Sequence, residues 1–163
     1  MEDKTQKYWQ IQQSIHENIK FADTKAGSIM ALNLALIATT NALILSVSDR
    51  YSFLFILGCL SIIVLVISIG CTVKVIYPRG DNSTAPNEAS LCDLNKIAKS
   101  SFDEYRKNVK KSSDKQLLDD IILFIYDRSL NNRTKYKWLK REINFGIVGW
   151  ILTFVTLGCK VLS

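Results

Sequence analysis

The polar residues that could carry chemistry lie inside uncharged stretches of the chain and recur at helical spacing. Two stripes of this kind consist of Gly146, Gly149, Thr153 and Thr156, and of Asn33, Thr40 and Asn41. Small residues let membrane helices approach closely, and hydroxyl and amide groups hydrogen-bond across the contact. Intramembrane polar groups are costly unless they are paired or hydrated. The stripes therefore indicate either helix packing or polar faces that line water in an oligomer.

Groups that would indicate an enzyme are scarce in this sequence. His16 is the single histidine, and it falls on the polar side of the first predicted helix. Asp119 and Asp120 are adjacent, so they lack the i, i+4 spacing of a helical metal site. The four cysteines show no C-x-x-C spacing, and the sequence contains no phosphate-binding glycine loop and no nucleophile elbow. We expect no catalytic residues, no metal and no bound cofactor.

Three uncharged stretches are the elements that position the polar stripes. Residues 26–48 and residues 51–73 each form a run of 23 uncharged residues. As helices these runs are about 34 Å long, which is enough to cross a hydrocarbon core of ~30 Å. The third run, 143–159, is followed by Lys160, whose ammonium can extend to the membrane surface. We predict an all-α integral membrane bundle with transmembrane helices at 26–48, 51–73 and 143–162; for the third, a re-entrant or interfacial helix is the alternative.

The remaining segments also show helical periods. Apolar positions from Tyr8 to Ile29 recur at spacings of three and four, which predicts an amphipathic helix over residues 1–25 that continues into the first span. Residues 81–90 are rich in turn formers and predict a linker. A second helical period covers residues 91–109 and is broken at 110–114. No strand signal is present.

A third helix of the polar region begins at a recognisable cap. Ser113 is followed three residues later by Gln116, which is the spacing of a capping box. No glycine or proline occurs between Ser113 and Gly146. The sequence therefore predicts a helix that runs unbroken from the polar region 74–142 into the third span.

The basic residues predict the orientation of the chain. The chain has 21 lysines and arginines and a net charge of +6. Four of these lysines lie in residues 1–25, and fifteen of the lysines and arginines lie in residues 74–142. Cytoplasmic segments of membrane proteins carry such an excess, so we expect the amino terminus and residues 74–142 in the cytoplasm. The same charge favours contact with anionic lipid. Without a nucleic-acid-binding module in the sequence, nucleic acid is not an expected partner.

Two short motifs resemble one known family. The entry to the first span reads I-K-F-A-D-T-K-A-G-S-I and contains A-D-x-K-A, with Asp23, Lys25 and Ala26 at the motif positions. Ahead of the last span, Tyr126, Ser129, Lys135, Tyr136 and Leu139 match a Y-x-x-S…K-Y-x-x-L segment. The chain thus resembles the transmembrane effectors of the Pycsar systems, the pyrimidine cyclase systems for antiphage resistance.

This resemblance implies a function that composition alone does not indicate. Such effectors are bacterial inner-membrane proteins paired with a cyclase that makes cyclic CMP or cyclic UMP upon phage infection. The nucleotide activates the effector, membrane integrity fails, and the infected cell stops growing or dies before phage is released. We expect this chain to form a homo-oligomer in the bilayer and to be coupled to a pyrimidine nucleotide cyclase through the nucleotide.

The charged residues at the membrane boundary have two interpretations. In the first, Asp23 and Lys25 are ordinary boundary residues, since a lysine there extends its ammonium to the membrane surface and an aspartate can cap a helix or pair. In the second, Asp23, Lys25, Arg133 and Lys135 fall at matching depths on two helices, where they would form an ion-pair layer or a basic pocket for a nucleotide phosphate. Tyr136 is one of the aromatic residues available to stack on a base. The rival function is a non-toxic membrane scaffold or accessory subunit that docks a partner enzyme through its cytoplasmic helices.

Overall fold

A computed structural model describes residues 2–47, 53–77, 91 and 94–162 of the chain. Within these residues the chain forms five helices and no strand: α1 (Glu2–Leu45), α2 (Phe53–Ile76), α3 (Leu94–Lys99), α4 (Phe102–Lys111) and α5 (Asp114–Leu162). Three of them, α1, α2 and α5, are long and apolar enough to cross a membrane. The predicted all-α membrane bundle with three spans is confirmed. The predicted linker 81–90 lies outside the described residues.

Helix α5 has the length that the sequence predicted. It runs for 49 residues from Asp114 to Leu162 without a break. Its first turn is closed by the expected capping box, in which the Gln116 backbone amide donates to Ser113 Oγ at 3.3 Å and the Ser113 amide donates to Gln116 Oε1 at 3.0 Å. This reciprocal pair satisfies two amides that otherwise have no partner at a helix start.

The helical period predicted over residues 91–109 is not one helix, and this part of the prediction was wrong. The chain leaves the helix at Ser100 and Ser101 and begins α4 at Phe102. Ser101 has an extended backbone, and its hydroxyl accepts a hydrogen bond from the Glu104 amide. A serine that caps a helix start competes with continuation of the preceding helix. The apolar spacing continued across this cap, so periodicity alone concealed it.

The helices divide into two compact units, which we describe separately. The first consists of Met1–Asn18 and Arg79–Arg133, and we call it the polar unit. In it, Asp120 Oδ2 accepts a hydrogen bond from the Leu91 amide at 3.1 Å, and the Leu91 carbonyl lies 3.5 Å from the Tyr105 hydroxyl. These contacts tie the segment ahead of α3 to α4 and to the first turns of α5.

The second unit consists of Ile19–Pro78 and Thr134–Ser163, and we call it the membrane unit. Its three helices expose large apolar side chains, such as Leu34, Ile63 and Phe154, on the outside. An apolar cluster of Ala22, Ala26, Val75 and Leu139 fills one part of its interior. Apart from Leu65 and Cys71, the other buried side chains of that interior are polar, which is the reverse of the usual arrangement in a water-soluble protein.

Candidate functional site

The polar interior of the membrane unit is formed by residues from all three helices. Eight buried polar side chains make up this polar interior, which comprises Asn33, Thr40, Ser61, Ser68, Thr72, Glu142, Thr153 and Thr156. Helical spacing explains the arrangement, because buried positions on each helix recur every three or four residues and place one stripe toward the other two helices. The small and polar stripes predicted from the sequence are therefore the faces along which the helices pack.

Asn33 connects the three helices through one amide. Its Nδ2 donates to Ser68 Oγ of α2 at 2.9 Å, and its Oδ1 accepts from Trp150 Nε1 of α5 at 2.8 Å. The indole nitrogen can only donate, which fixes the amide oxygen on the Trp150 side. Ser68 Oγ in turn donates to the Glu142 carbonyl at 2.8 Å. Asn33, one of the stripe residues predicted in span 1, is thus the central link between the helices.

A second polar layer surrounds the hydroxyl of Thr153. This hydroxyl lies 2.7 Å from Ser61 Oγ and 3.3 Å from Thr40 Oγ1. Thr40 donates to the Leu36 carbonyl and Ser61 donates to the Gly149 carbonyl, so each has used its only hydrogen. The single Thr153 hydrogen then goes to Ser61 Oγ, the nearer of the two oxygens, so every hydroxyl in the layer donates one hydrogen bond.

Gly149 allows α5 to approach α2 closely at this layer. A Cβ atom at this position would stand 2.5 Å from Leu65 Cδ2 and 2.7 Å from Leu65 Cγ. Leu65 is fully buried, so a shift of its side chain would have to displace its packed neighbours. At Gly146, by contrast, the nearest atoms would be at 3.5 Å, an ordinary contact distance. Of the two predicted glycines, Gly149 is the one that the packing requires.

Asn41 does not belong to the polar interior, and its assignment to the same face as Asn33 and Thr40 was wrong. Thr40 follows Asn33 by seven residues, or about two full turns, so both lie on one side of α1. Asn41 is about 100° further round the helix, and its side chain is exposed. Grouping residues by proximity in sequence, rather than by angle, produced this error.

The charged residues at the start of the membrane unit form one ion pair. Lys135 Nζ donates to both carboxylate oxygens of Asp23, at 2.6 Å and 2.8 Å. The Lys135 side chain is 18% exposed and that of Asp23 is 38% exposed. For Asp23 and Lys135 the structure contains an ion pair, and the pocket for a nucleotide phosphate stays a prediction.

The other predicted boundary residues lie elsewhere. Lys25 is exposed, and its ammonium lies over the Phe21 ring at 4.4 Å from the ring centroid. Arg133 belongs to the polar unit, where its side chain is exposed. Tyr136 is exposed on α5 in the membrane unit. Within the membrane unit, Lys135 is the candidate whose ammonium pairs with the Asp23 carboxylate.

The sequence reasoning missed Glu142, Thr72 and Trp150. The first two could have been found from helical spacing. Glu142 precedes Gly146 by four residues and therefore lies one turn before the stripe of span 3, and Thr72 follows Ser68 of span 2 by four residues and lies on the same side of that helix. Glu142 was treated only as the end of the cytoplasmic segment. Trp150 gives no such signal, because an indole in a membrane helix more often lies at the lipid interface.

Comparison with known proteins supplies the family. The family model of the Pycsar effector protein domain matches residues 7–160, which is almost the whole chain. No curated protein and no solved structure matches the chain significantly.

Proposed function

The chain belongs to the Pycsar effector family, and on that premise we propose that it is an antiphage defence effector that responds to a cyclic pyrimidine nucleotide. Cyclic CMP or cyclic UMP, made by a partner cyclase upon infection, would be the activating ligand. The response would be loss of inner-membrane integrity, so that the infected cell stops growing before phage is released. The chain would act as a homo-oligomer, with its amino terminus and residues 74–142 in the cytoplasm.

The observation that carries this proposal is the polar interior of the membrane unit. In a bundle that only anchors a domain, apolar packing is sufficient, and polar groups within the membrane commonly mark pathways for ions or water. Here the hydroxyl and amide groups of α1, α2 and α5 satisfy one another inside one subunit. If the helices separate, the same groups need water or another subunit, and the membrane then becomes permeable.

The Asp23–Lys135 pair is the proposed point of contact with the nucleotide. A cyclic nucleotide carries one phosphate charge, and it would replace the Asp23 carboxylate as the partner of the Lys135 ammonium. Both side chains are partly exposed, so this exchange does not require burial of a new charge. Since the pair joins α1 to α5, its release would loosen the membrane unit at its cytoplasmic end.

The test is dye leakage from liposomes that contain the purified full-length protein. We expect leakage upon addition of cyclic CMP or cyclic UMP, and none upon addition of cyclic AMP. Lys135→Gln lacks both the pair with Asp23 and the contact with the phosphate. We expect its leakage without nucleotide to rise above the wild-type level. The further, nucleotide-dependent rise should require about 10- to 150-fold more nucleotide, because a charge-assisted hydrogen bond worth about 1.5–3 kcal/mol is lost. Lys25→Gln is the matched control, because that lysine lies on the Phe21 ring rather than in the pair.

The alternative function as a scaffold makes a different prediction. A scaffold neither leaks with any nucleotide nor arrests growth when it is overexpressed. Absence of nucleotide-dependent leakage in liposomes, together with normal growth of overexpressing cells, would contradict the proposed effector function. Equal nucleotide sensitivity of Lys135→Gln and Lys25→Gln would reject the Lys135 contact alone.

A further inference from the structure

Glu142 is a fully buried carboxyl group in the membrane unit, and the polar interior does not require its charge. Its exposed fraction is 0%, although it lies on α5 between the ion pair and the apolar end of the helix. The backbone carbonyl of Glu142 already accepts the hydrogen bond from Ser68. The helix contact at this position would therefore be possible with another residue, and the carboxyl needs its own explanation.

The two carboxyl oxygens of Glu142 have different surroundings. Oε1 accepts a hydrogen bond from Thr72 Oγ1 at 2.5 Å. Oε2 is buried and has no hydrogen-bond partner. An ionised carboxylate buried in this way loses its hydration without gaining a compensating partner, which is strongly unfavourable. Such a group is retained as a neutral acid or is balanced by a cation.

No cation balances Glu142 among the described residues. The nearby charged residues have other partners or point outward: Asp23 binds Lys135, Lys25 lies over Phe21, Arg141 lies over Trp138, and Lys74 is exposed.

The titratable group that faces the carboxyl from α2 is the Cys71 thiol. The buried positions of α1 in the neighbouring cluster are Ala22 and Ala26. No group of three or more histidine, cysteine or acidic residues in the described part of the chain could hold a metal ion.

We propose that Glu142 is a proton-binding site, at which the carboxyl stays protonated as long as α2 and α5 are packed. One proton on Oε2 neutralises the group and needs no further ligands, whereas a metal cation would need several oxygen atoms. When the helices separate and water reaches the carboxyl, the proton dissociates, because a hydrated glutamate is ionised at neutral pH. This site does not depend on the nucleotide response proposed above.

The sign of the resulting pH dependence follows from linkage. The packed membrane unit binds one more proton than the opened unit, so it is favoured at low pH and lost as the pH rises. At neutral pH and above, each pH unit shifts the equilibrium between packed and opened protein by up to about tenfold toward the opened form, until the packed form also loses its proton. Ionisation of Glu142 would thus favour separation of the helices.

Infrared spectroscopy of the full-length protein in lipid at neutral pH tests the site directly. The wild-type spectrum minus that of Glu142→Gln should contain the carbonyl band of one protonated carboxylic acid. Glu17→Gln is the matched control, because Glu17 is exposed and accepts a hydrogen bond from Gln13. Its difference spectrum should show the loss of an ionised carboxylate instead. Loss of a carboxylate band in Glu142→Gln would overturn the proposal.

The pH dependence of stability provides a second measurement, which remains informative if Glu142→Gln folds poorly. Unfolding by denaturing detergent is followed at neutral and mildly alkaline pH for the wild type and for Glu17→Gln. In both, the ratio of packed to unfolded protein should fall by up to about tenfold per pH unit. In a folded Glu142→Gln this ratio should fall much less. A wild-type equilibrium that is independent of pH, or that shifts toward the packed form, would contradict a bound proton.

Discussion

Replacement of Asn33 should weaken the membrane unit more than any other single change to a polar residue of span 1. The Asn33 amide makes two hydrogen bonds, to Ser68 on α2 and to Trp150 on α5. In Asn33→Leu both are lost. Ser68 still donates to the Glu142 carbonyl, whereas the Trp150 indole loses its acceptor. The consequence is the loss of both hydrogen bonds that join α1 to α2 and to α5 at this position.

The size of this effect can be estimated from hydrogen bonds in membranes. Such bonds between helices contribute about 0.6 kcal/mol on average and up to ~1.7 kcal/mol each. Two bonds therefore predict a loss of about 1–3 kcal/mol in the free energy of unfolding, or about 5- to 150-fold in the equilibrium constant. Asn33→Ala should show a similar loss, which separates the missing bonds from the greater bulk of leucine.

The assay is equilibrium unfolding of the purified protein in mixed micelles, with helix content as the readout. Asn41→Leu is the matched control on the same helix, since the Asn41 side chain is exposed. We expect Asn41→Leu to leave stability within about 0.5 kcal/mol of the wild type. Equal losses in Asn33→Leu and Asn41→Leu would refute the assignment of Asn33 to the polar interior.

Two further substitutions test the packing of α5. In Gly149→Ala the new methyl group would overlap Leu65, so we expect the free energy of unfolding to fall by about 1–3 kcal/mol. Gly158 has no neighbour within 4 Å of an added Cβ, so Gly158→Ala should leave the free energy of unfolding unchanged in the same assay. In Ser113→Ala the cap that Gln116 completes is removed, so the stability of the start of α5 should fall by about 0.5–2 kcal/mol. The measurement is amide hydrogen exchange, which should become faster in the first turn of α5. A stable Gly149→Ala, or unchanged exchange in Ser113→Ala, would contradict these contacts.

The elements of this protein could largely be predicted from the sequence, because the signals are local. Long uncharged runs predict the membrane helices, and the Ser113 and Gln116 spacing predicts the start of α5. The split between α3 and α4 could not be predicted from the apolar period. Ser101 competes for the backbone through its own hydroxyl, and a single cap of this kind interrupts a helix without changing the spacing of apolar residues.

The candidate site could be predicted only in part, since its contacts join helices that are far apart in sequence. Asp23 and Lys135 are separated by 112 positions, and their charges alone do not distinguish an ion pair from a phosphate pocket. Lys25 and Arg133 are of the same residue types at similar depth, yet neither belongs to the pair. Which charged side chains meet depends on the rotation of each helix about its axis, and packing sets that rotation.

The proposed function requires a polar interior that defines a packed state and that a ligand can still open. Six hydrogen bonds join its three helices. At about 0.6 kcal/mol each they contribute on the order of 4 kcal/mol. A ligand needs about 5.5 kcal/mol of preference for one state to move a two-state equilibrium from 1:99 to 99:1. The two energies are similar, so a nucleotide that displaces Asp23 from Lys135 need not break a large apolar core. It has to offset a small set of polar contacts, and water can replace those contacts once the helices have separated.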